Sequence, residues 1–334
     1  MGDRPPLSER LGAGISYTIF SSAAVLCNIL VYIALRRHWK VFGRYPFYTL
    51  AKNLIFASFG ELLAQFIVAI PLSFTGQALY GDDTVLIVFS SFDTFFFIAL
   101  FFTSLFIALN RCFAVFFPRL YILFFTDYRL HLTCASTWII SAIWVLVTTM
   151  IGCPKIFRHD GFYYTYRCDD NLTDAAENLM HVSMHLSYSI PAVMLIVYAL
   201  VLWKVHSLIS FGSFDTKILI QSLLICIVFE IEAILFAILP KLEHKMGLFW
   251  FSLILDYVLI LTASMSSIIL LFLNPRIKET VKSFFSCSKK VQQFSSYAQT
   301  NYQVYDISDE YGRNIKEEER RKSAAAVEMY ARNS

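Results

Sequence analysis

Charge is what this chain has least of. Only 16% of its 334 residues are Asp, Glu, Lys or Arg and 57% are hydrophobic, whereas a soluble domain carries about 25% charged residues. The net charge of +3 is too small to draw nucleic acid, and no block of Lys and Arg is interleaved with aromatics on a polar face. The seven cysteines are scattered, with no C-x-x-C and no Cys/His ligand spacing, so no zinc site is readable. G-x-S-x-G, Walker and H-E-x-x-H strings are also missing. The expectation is a protein without cofactor or metal and without enzymatic activity. The first eleven residues are polar, and the apolar run after them is too long for a cleavable signal peptide, so the first helix itself is expected to target the chain.

What the chain has instead is apolar length. A mean hydropathy of +0.57 is gathered into seven runs, each able to cross a bilayer, which takes about 20 mostly apolar residues. The predicted spans are 15–35, 47–70, 84–110, 132–152, 179–203, 218–239 and 248–273. Each is read as a helix, because a helix satisfies its backbone hydrogen bonds within one segment. The fold class expected is all-α, a seven-transmembrane-helix bundle. Lys and Arg in the connecting segments number thirteen on one side and seven on the other. The richer side is predicted to be cytoplasmic, which places residues 1–14 outside and the tail inside. The sequon at Asn171 then falls in the second outer loop, as a glycosylation candidate.

Residues 274–287 follow the last span. Pro275 suits a first helical turn, and Ile277, Val281, Phe284 and Phe285 share one side at helical spacing. The expectation is an interfacial amphipathic helix in contact with membrane lipid, with Cys287 as a palmitoylation candidate. Residues 288–334 are polar, Ser/Tyr-rich and without apolar period, and are expected to be a disordered cytoplasmic tail.

Asn110-Arg111-Cys112 through Pro118-Arg119-Leu120-Tyr121 resembles the Asp/Glu-Arg-Tyr stretch of rhodopsin-like G-protein-coupled receptors. The Pro seven residues after the Arg and the Tyr three further on stand at that family's spacings, as does Trp138, twenty beyond Pro118. Asn28 looks like its helix 1 Asn, and Pro191 like its helix 5 Pro. Other positions depart from the pattern. Asn110 replaces the usual acid, the helix 2 Asp is best matched by Glu61, the helix 6 Cys-Trp-x-Pro is missing, and Leu86 stands where helix 3 usually has its Cys. Asn274-Pro275 is not the family's N-P-x-x-Y, whose slot is 266–270. The string Asn110–Pro118 and the segment Lys217–Ser222 are similar to the class X (Srx) group of nematode serpentine chemoreceptors.

The resemblance implies a receptor that binds a small molecule between the outer helix ends and activates a heterotrimeric G protein, in the plasma membrane or the ciliary membrane of a sensory cell. Arg111, Pro118 and Tyr121 are implied as coupling residues, and tail positions such as Ser295 and Thr300 as phosphorylation sites recruiting an arrestin-like partner. Asn28, Glu61 and Ser266 fall where the family builds a polar network. Cys153 and Cys168, in the second outer loop with no helix 3 cysteine to meet, are expected to pair with each other.

Ionisable side chains inside a span cost at least about 2.5 kcal/mol at its centre, so they should face protein or water. Asp93 precedes Arg111 by eighteen residues, five turns and about 27 Å along one face. In amine-binding members of the resembled family this slot pairs with the ligand's ammonium. Asp93, Asp256, Phe89 and Phe97 are therefore the expected ligand-binding residues, with a bond from Asp93 to a Thr, Tyr or Lys of a neighbouring helix, or a place at the wet outer end, as the plainer alternatives. Glu230 and Glu232 are two apart, so one of them at most should point inward. Asp215 is a candidate partner for Arg111. A secondary transporter or ligand-gated channel would also use buried acids, but no internal repeat or polar pore stripe is visible.

Overall fold

Among the described residues, seven helices are long and apolar enough to cross a membrane. They belong to a computed structural model that describes residues 5–77, 79–81, 83–159, 161–168, 174–207 and 213–285. The sequon at Asn171, Cys287, Ser295 and Thr300 lie outside the described residues, as does the side chain of Asp215. The chain forms two units, Met1–Val281 and Lys282–Ser334. The second is described for 282–285.

Helix α1 (Leu7–Arg37) shows how the bundle is built. Gly14, Tyr17, Ser21, Ala24, Asn28, Val31 and Leu35 are buried at alternating spacings of three and four, which is one stripe of a helix. Between them Ile15, Ile19, Leu26 and Ile33 are 45–60% exposed. Small and polar residues face protein and large apolar ones face outward, the inverse of a soluble surface and the pattern expected in lipid. After the single turn α2 (Trp39–Phe42), the second span runs through α3 (Pro46–Ala64), a π-helical turn at Gln65–Ala69 and α4 (Ile70–Thr75). Pro71 accounts for part of this break. It has no N–H for the carbonyl four residues earlier, and that carbonyl, on Ile67, accepts the Tyr80 hydroxyl instead.

Helix α5 (Asp83–Phe116) is central: it packs against α3, α7 (Asp127–Met150), α8 (Asp174–Ser207), α9 (Ser213–Met246) and the strand β1. Close approach of α3 and α5 needs Gly60, where a Cβ would lie 2.1 Å from the Phe96 ring. One polar node ties three spans together: Asn53 accepts from Trp138 Nε1 at 3.0 Å and donates to Thr103 at 2.9 Å and Thr137 at 3.3 Å. Pro191 sits inside α8 without ending it. Helix α10 (Leu248–Leu273) follows α9 after a single residue, Gly247, at φ +80° and ψ 146°, a conformation that is essentially restricted to glycine.

Between α7 and α8 the chain forms an antiparallel hairpin, β1 (Lys155–Arg158) and β2 (Tyr163–Tyr166), in the register Lys155↔Tyr166 and Phe157↔Tyr164. The expectation of an all-helical chain did not include it. Cys153 and Cys168 are joined by a disulfide across its base. Past α10, Asn274 opens α11 (Pro275–Phe285): its Oδ1 accepts the backbone N–H groups of Arg276 and Ile277 at 3.1 and 3.3 Å. Ile277 and Val281 are buried in the core, whereas Phe285 is 74% exposed.

Candidate functional site

The two ends of the bundle differ in chemistry. At the hairpin end, strand alternation sends Lys155 and Phe157 to one face, toward α5, and leaves Arg158 exposed. The Phe157 N–H donates to Ser90 on α5 at 3.2 Å, three residues before Asp93. Lys155 Nζ pairs with Asp93 Oδ2. The ammonium also stands 5.9 Å from the Phe97 ring centroid and 5.4 Å from that of Tyr164, within cation–π range. Burial pulls the Lys155 pKa down, but Asp93, Tyr166 and Glu61 more than offset it, and the net shift is upward. Lys155 therefore remains an ammonium ion at neutral pH.

Other elements converge on this pair. Glu61 from α3, Glu232 from α9 and Asp256 from α10 are each no more than 3% exposed, and Asp93 is fully enclosed. Glu61 interacts electrostatically with Asp93, Glu232 and Lys155, and Asp256 with Asp93, Lys155 and Tyr17. The Tyr17 hydroxyl donates to the Phe162 carbonyl at 3.2 Å. Tyr164 caps the group, with its hydroxyl 3.3 Å from the Ala64 carbonyl. Phe89 packs edge-on to Tyr80, at 5.2 Å. Of the two acids on α9, Glu232 is the inward one and Glu230 lies half-buried on another face. No three His, Cys, Asp or Glu among the described residues are close enough to hold a metal ion.

Asn28, Glu61 and Ser266 are all buried. The Asn28 amide is spent on the Ala263 carbonyl, at 3.2 Å, while the electrostatic neighbours of Glu61 are the acids and Lys155 near the hairpin. A groove of about 360 Å³ lies away from this cluster, between α1 and α10, lined by Phe20, Ala24, Cys27, Tyr257, Ile260 and Ser264.

At the opposite end the Arg111 guanidinium lies over the Phe47 ring, 5.0 Å from its centroid. Tyr48, Tyr121 and Tyr198 are its electrostatic neighbours. Pro118 starts the short helix α6 (Pro118–Phe125), where its missing N–H costs nothing, and α6 carries Tyr121 beside Asn110. Burial raises the Tyr121 pKa, partly countered by Arg111 and Asn110. Asn274 donates to the Tyr48 hydroxyl at 2.7 Å. His38, just past α1, has its pKa lowered by burial and by Arg37 and Arg276, so its ring is neutral at pH 7 in a basic neighbourhood.

Asp93 and Asp256 were legible in the sequence as one group, but Lys155 and Tyr164 beside them were not. Lys155 was counted only as a loop charge, and at the opposite end the unforeseen Tyr48–Asn274 pair joins residues 226 apart. The Asp160-Gly161 pair between two short runs rich in aromatic and β-branched residues was a readable signal for the hairpin.

A seven-helix membrane bundle with a loop-capped acidic end and a basic, arginine-bearing end is the architecture of a serpentine receptor. The chain belongs to the serpentine type 7TM GPCR chemoreceptor Srx family, whose model matches residues 19–274. No curated protein matches it.

Proposed function

We propose that the protein is a chemosensory receptor that binds a small molecule at the hairpin end and activates a heterotrimeric G protein at the Arg111 end. The observation that carries this reading is the two-ended character of α5: buried Asp93 under the hairpin and Arg111 five turns further along. The asymmetry of basic residues supports a cytoplasmic Arg111 end, with the N-terminus and the disulfide-closed hairpin outside. Asp93, Phe97, Phe89 and Asp256 form the ligand site together with Glu61, Glu232, Lys155 and Tyr164. Ligand binding favours a state with an opened cytoplasmic cleft in proportion to its differential affinity for that state. Arg111, Pro118 and Tyr121 then meet the G protein, with Tyr198 supporting Arg111 from α8. The receptor acts in the plasma membrane, its outward apolar residues against lipid, and phosphorylation of the tail would supply a site for an arrestin-like partner.

The test is nucleotide exchange by a heterotrimeric G protein on receptor reconstituted in vesicles, across a panel of cationic and neutral small molecules. Ligand-dependent exchange is expected. Solute flux or ionic current without exchange would replace this reading with transport or channel function.

A further inference from the structure

The hairpin end already holds an alkylammonium group, and it belongs to the protein. The butyl chain of Lys155 enters from β1, its ammonium pairs with Asp93, and two aromatic faces, Phe97 and Tyr164, flank it. A carboxylate with aromatic walls is a general recognition site for such a cation. Only 14% of the Lys155 side chain is exposed, so the site is occupied and nearly closed.

The occupant pairs directly with one carboxyl group of the four around it. Four buried carboxyl groups from four helices, Glu61, Asp93, Glu232 and Asp256, share one lysine. Both Glu61 oxygens and Oε1 of Glu232 are enclosed without a hydrogen-bond donor, and Asp256 has only the Tyr17 hydroxyl beside it. Buried acceptors of this kind gain from any donor that reaches them. The acids are too spread for three of them to share one metal ion, among the described residues. The fitting occupant is an extended cation with N–H donors at separated points.

We propose that Lys155 is a tethered occupant of an alkylammonium site, and that external diammonium compounds bind by displacing it from Asp93. This rests on the reading of the hairpin end as the ligand site. One ammonium takes the place of Lys155 between Asp93, Phe97 and Tyr164, and the second reaches Glu61, Glu232 and Asp256. The choice of two charges over one follows from competition. A tethered group acts at an effective concentration of about millimolar or more, so a monoamine that merely replaces Lys155 one for one must exceed that level. A diamine adds a cation where none is present, a gain that the tether does not supply. The hairpin moves aside as Lys155 leaves, with the disulfide at its base keeping both strands together.

The experiment measures binding without a G protein, by thermal stabilisation and titration calorimetry of the purified full chain in lipid nanodiscs. The probes are linear diamines of four to eight carbons, n-butylammonium and neutral 1-butanol. In the wild type, at least one diamine binds tenfold or more tighter than n-butylammonium, and 1-butanol gives no stabilisation. Lys155→Met raises n-butylammonium affinity at least tenfold. Asp93→Asn strands Lys155 and could misfold, so the double variant Asp93→Asn/Lys155→Met removes the pair together; it loses the n-butylammonium affinity gained by Lys155→Met. Diamine binding no tighter than monoamine binding, or monoamine affinity unchanged in Lys155→Met, overturns the proposal. Binding with these dependences but without nucleotide exchange counts against the coupling reading and leaves this one standing.

Discussion

Asn274 holds Tyr48 with one end of its amide and caps α11 with the other. Nδ2 donates to the Tyr48 hydroxyl at 2.7 Å, and Oδ1 accepts from the Arg276 and Ile277 N–H groups. Removing a cap of this kind costs about 0.5–2 kcal/mol, and leaving a buried hydroxyl without its donor about 1–3 kcal/mol. Asn274→Ala should therefore lower thermal stability more than Tyr48→Phe, which leaves the cap intact. A double-mutant cycle read by thermal unfolding in nanodiscs should give a coupling above 0.5 kcal/mol; additive effects would show that the two residues act separately.

Gly60 sets the distance between α3 and α5. A methyl group there would meet the Phe96 ring at 2.1 Å, and that ring is itself backed by Phe95 and Trp138 at 5.1 and 6.0 Å. Overpacking of this type costs about 1–3 kcal/mol. Gly60→Ala should lower the unfolding temperature, and adding Phe96→Leu should restore part of it. An unchanged melting curve for Gly60→Ala would mean the helices separate freely.

The Asn53 side chain serves Trp138, Thr103 and Thr137 at once. Asn53→Leu should destabilise by more than Trp138→Phe, because the first strands the Trp138 N–H, at about 1–3 kcal/mol, and also removes the donor to Thr103 and Thr137, whose hydroxyls keep only their bonds to the Ala99 and Cys134 carbonyls, whereas the second strands one carbonyl oxygen. Relative yields of folded receptor by size-exclusion chromatography give the order; the reverse order would contradict the network.

The hairpin predicts both a redox and a pH response. Opening the Cys153–Cys168 bridge, which closes a loop of 15 residues, should cost about 3 kcal/mol. It should also speed acylation of Lys155 by amine-reactive reagents, read by mass spectrometry. Because its folded pKa lies above the ordinary lysine value of 10.5, the ammonium's contribution to stability is complete below that value. It is lost as pH rises through the higher folded value. Lys155 should therefore be among the slowest lysines to react at pH 8–9 while the disulfide is intact, and equal rates in both redox states would remove the hairpin's role as a seal.

The seven spans were legible because 20-residue apolar runs have little alternative to a membrane helix. Their ends were less so. Helix α1 begins at Leu7 rather than at residue 15, and α5 runs to Phe116 past the polar Asn110 and Arg111, because those side chains find protein partners and need no exit to water. The inward acids were legible from their cost in lipid. Their single cation was not, since a loop lysine carries no sign in sequence of which helix it will face, and Asp93 and Lys155 are 62 residues apart. Asn274, read as a departure from a motif, turned out to owe its place to a hydrogen bond with α3.

The most direct measurement is ligand-stimulated nucleotide exchange with wild type and Arg111→Ala side by side, at matched surface expression and matched ligand occupancy. The account predicts exchange in the wild type and its loss in Arg111→Ala with binding at the hairpin end retained. Undiminished exchange in Arg111→Ala would contradict it.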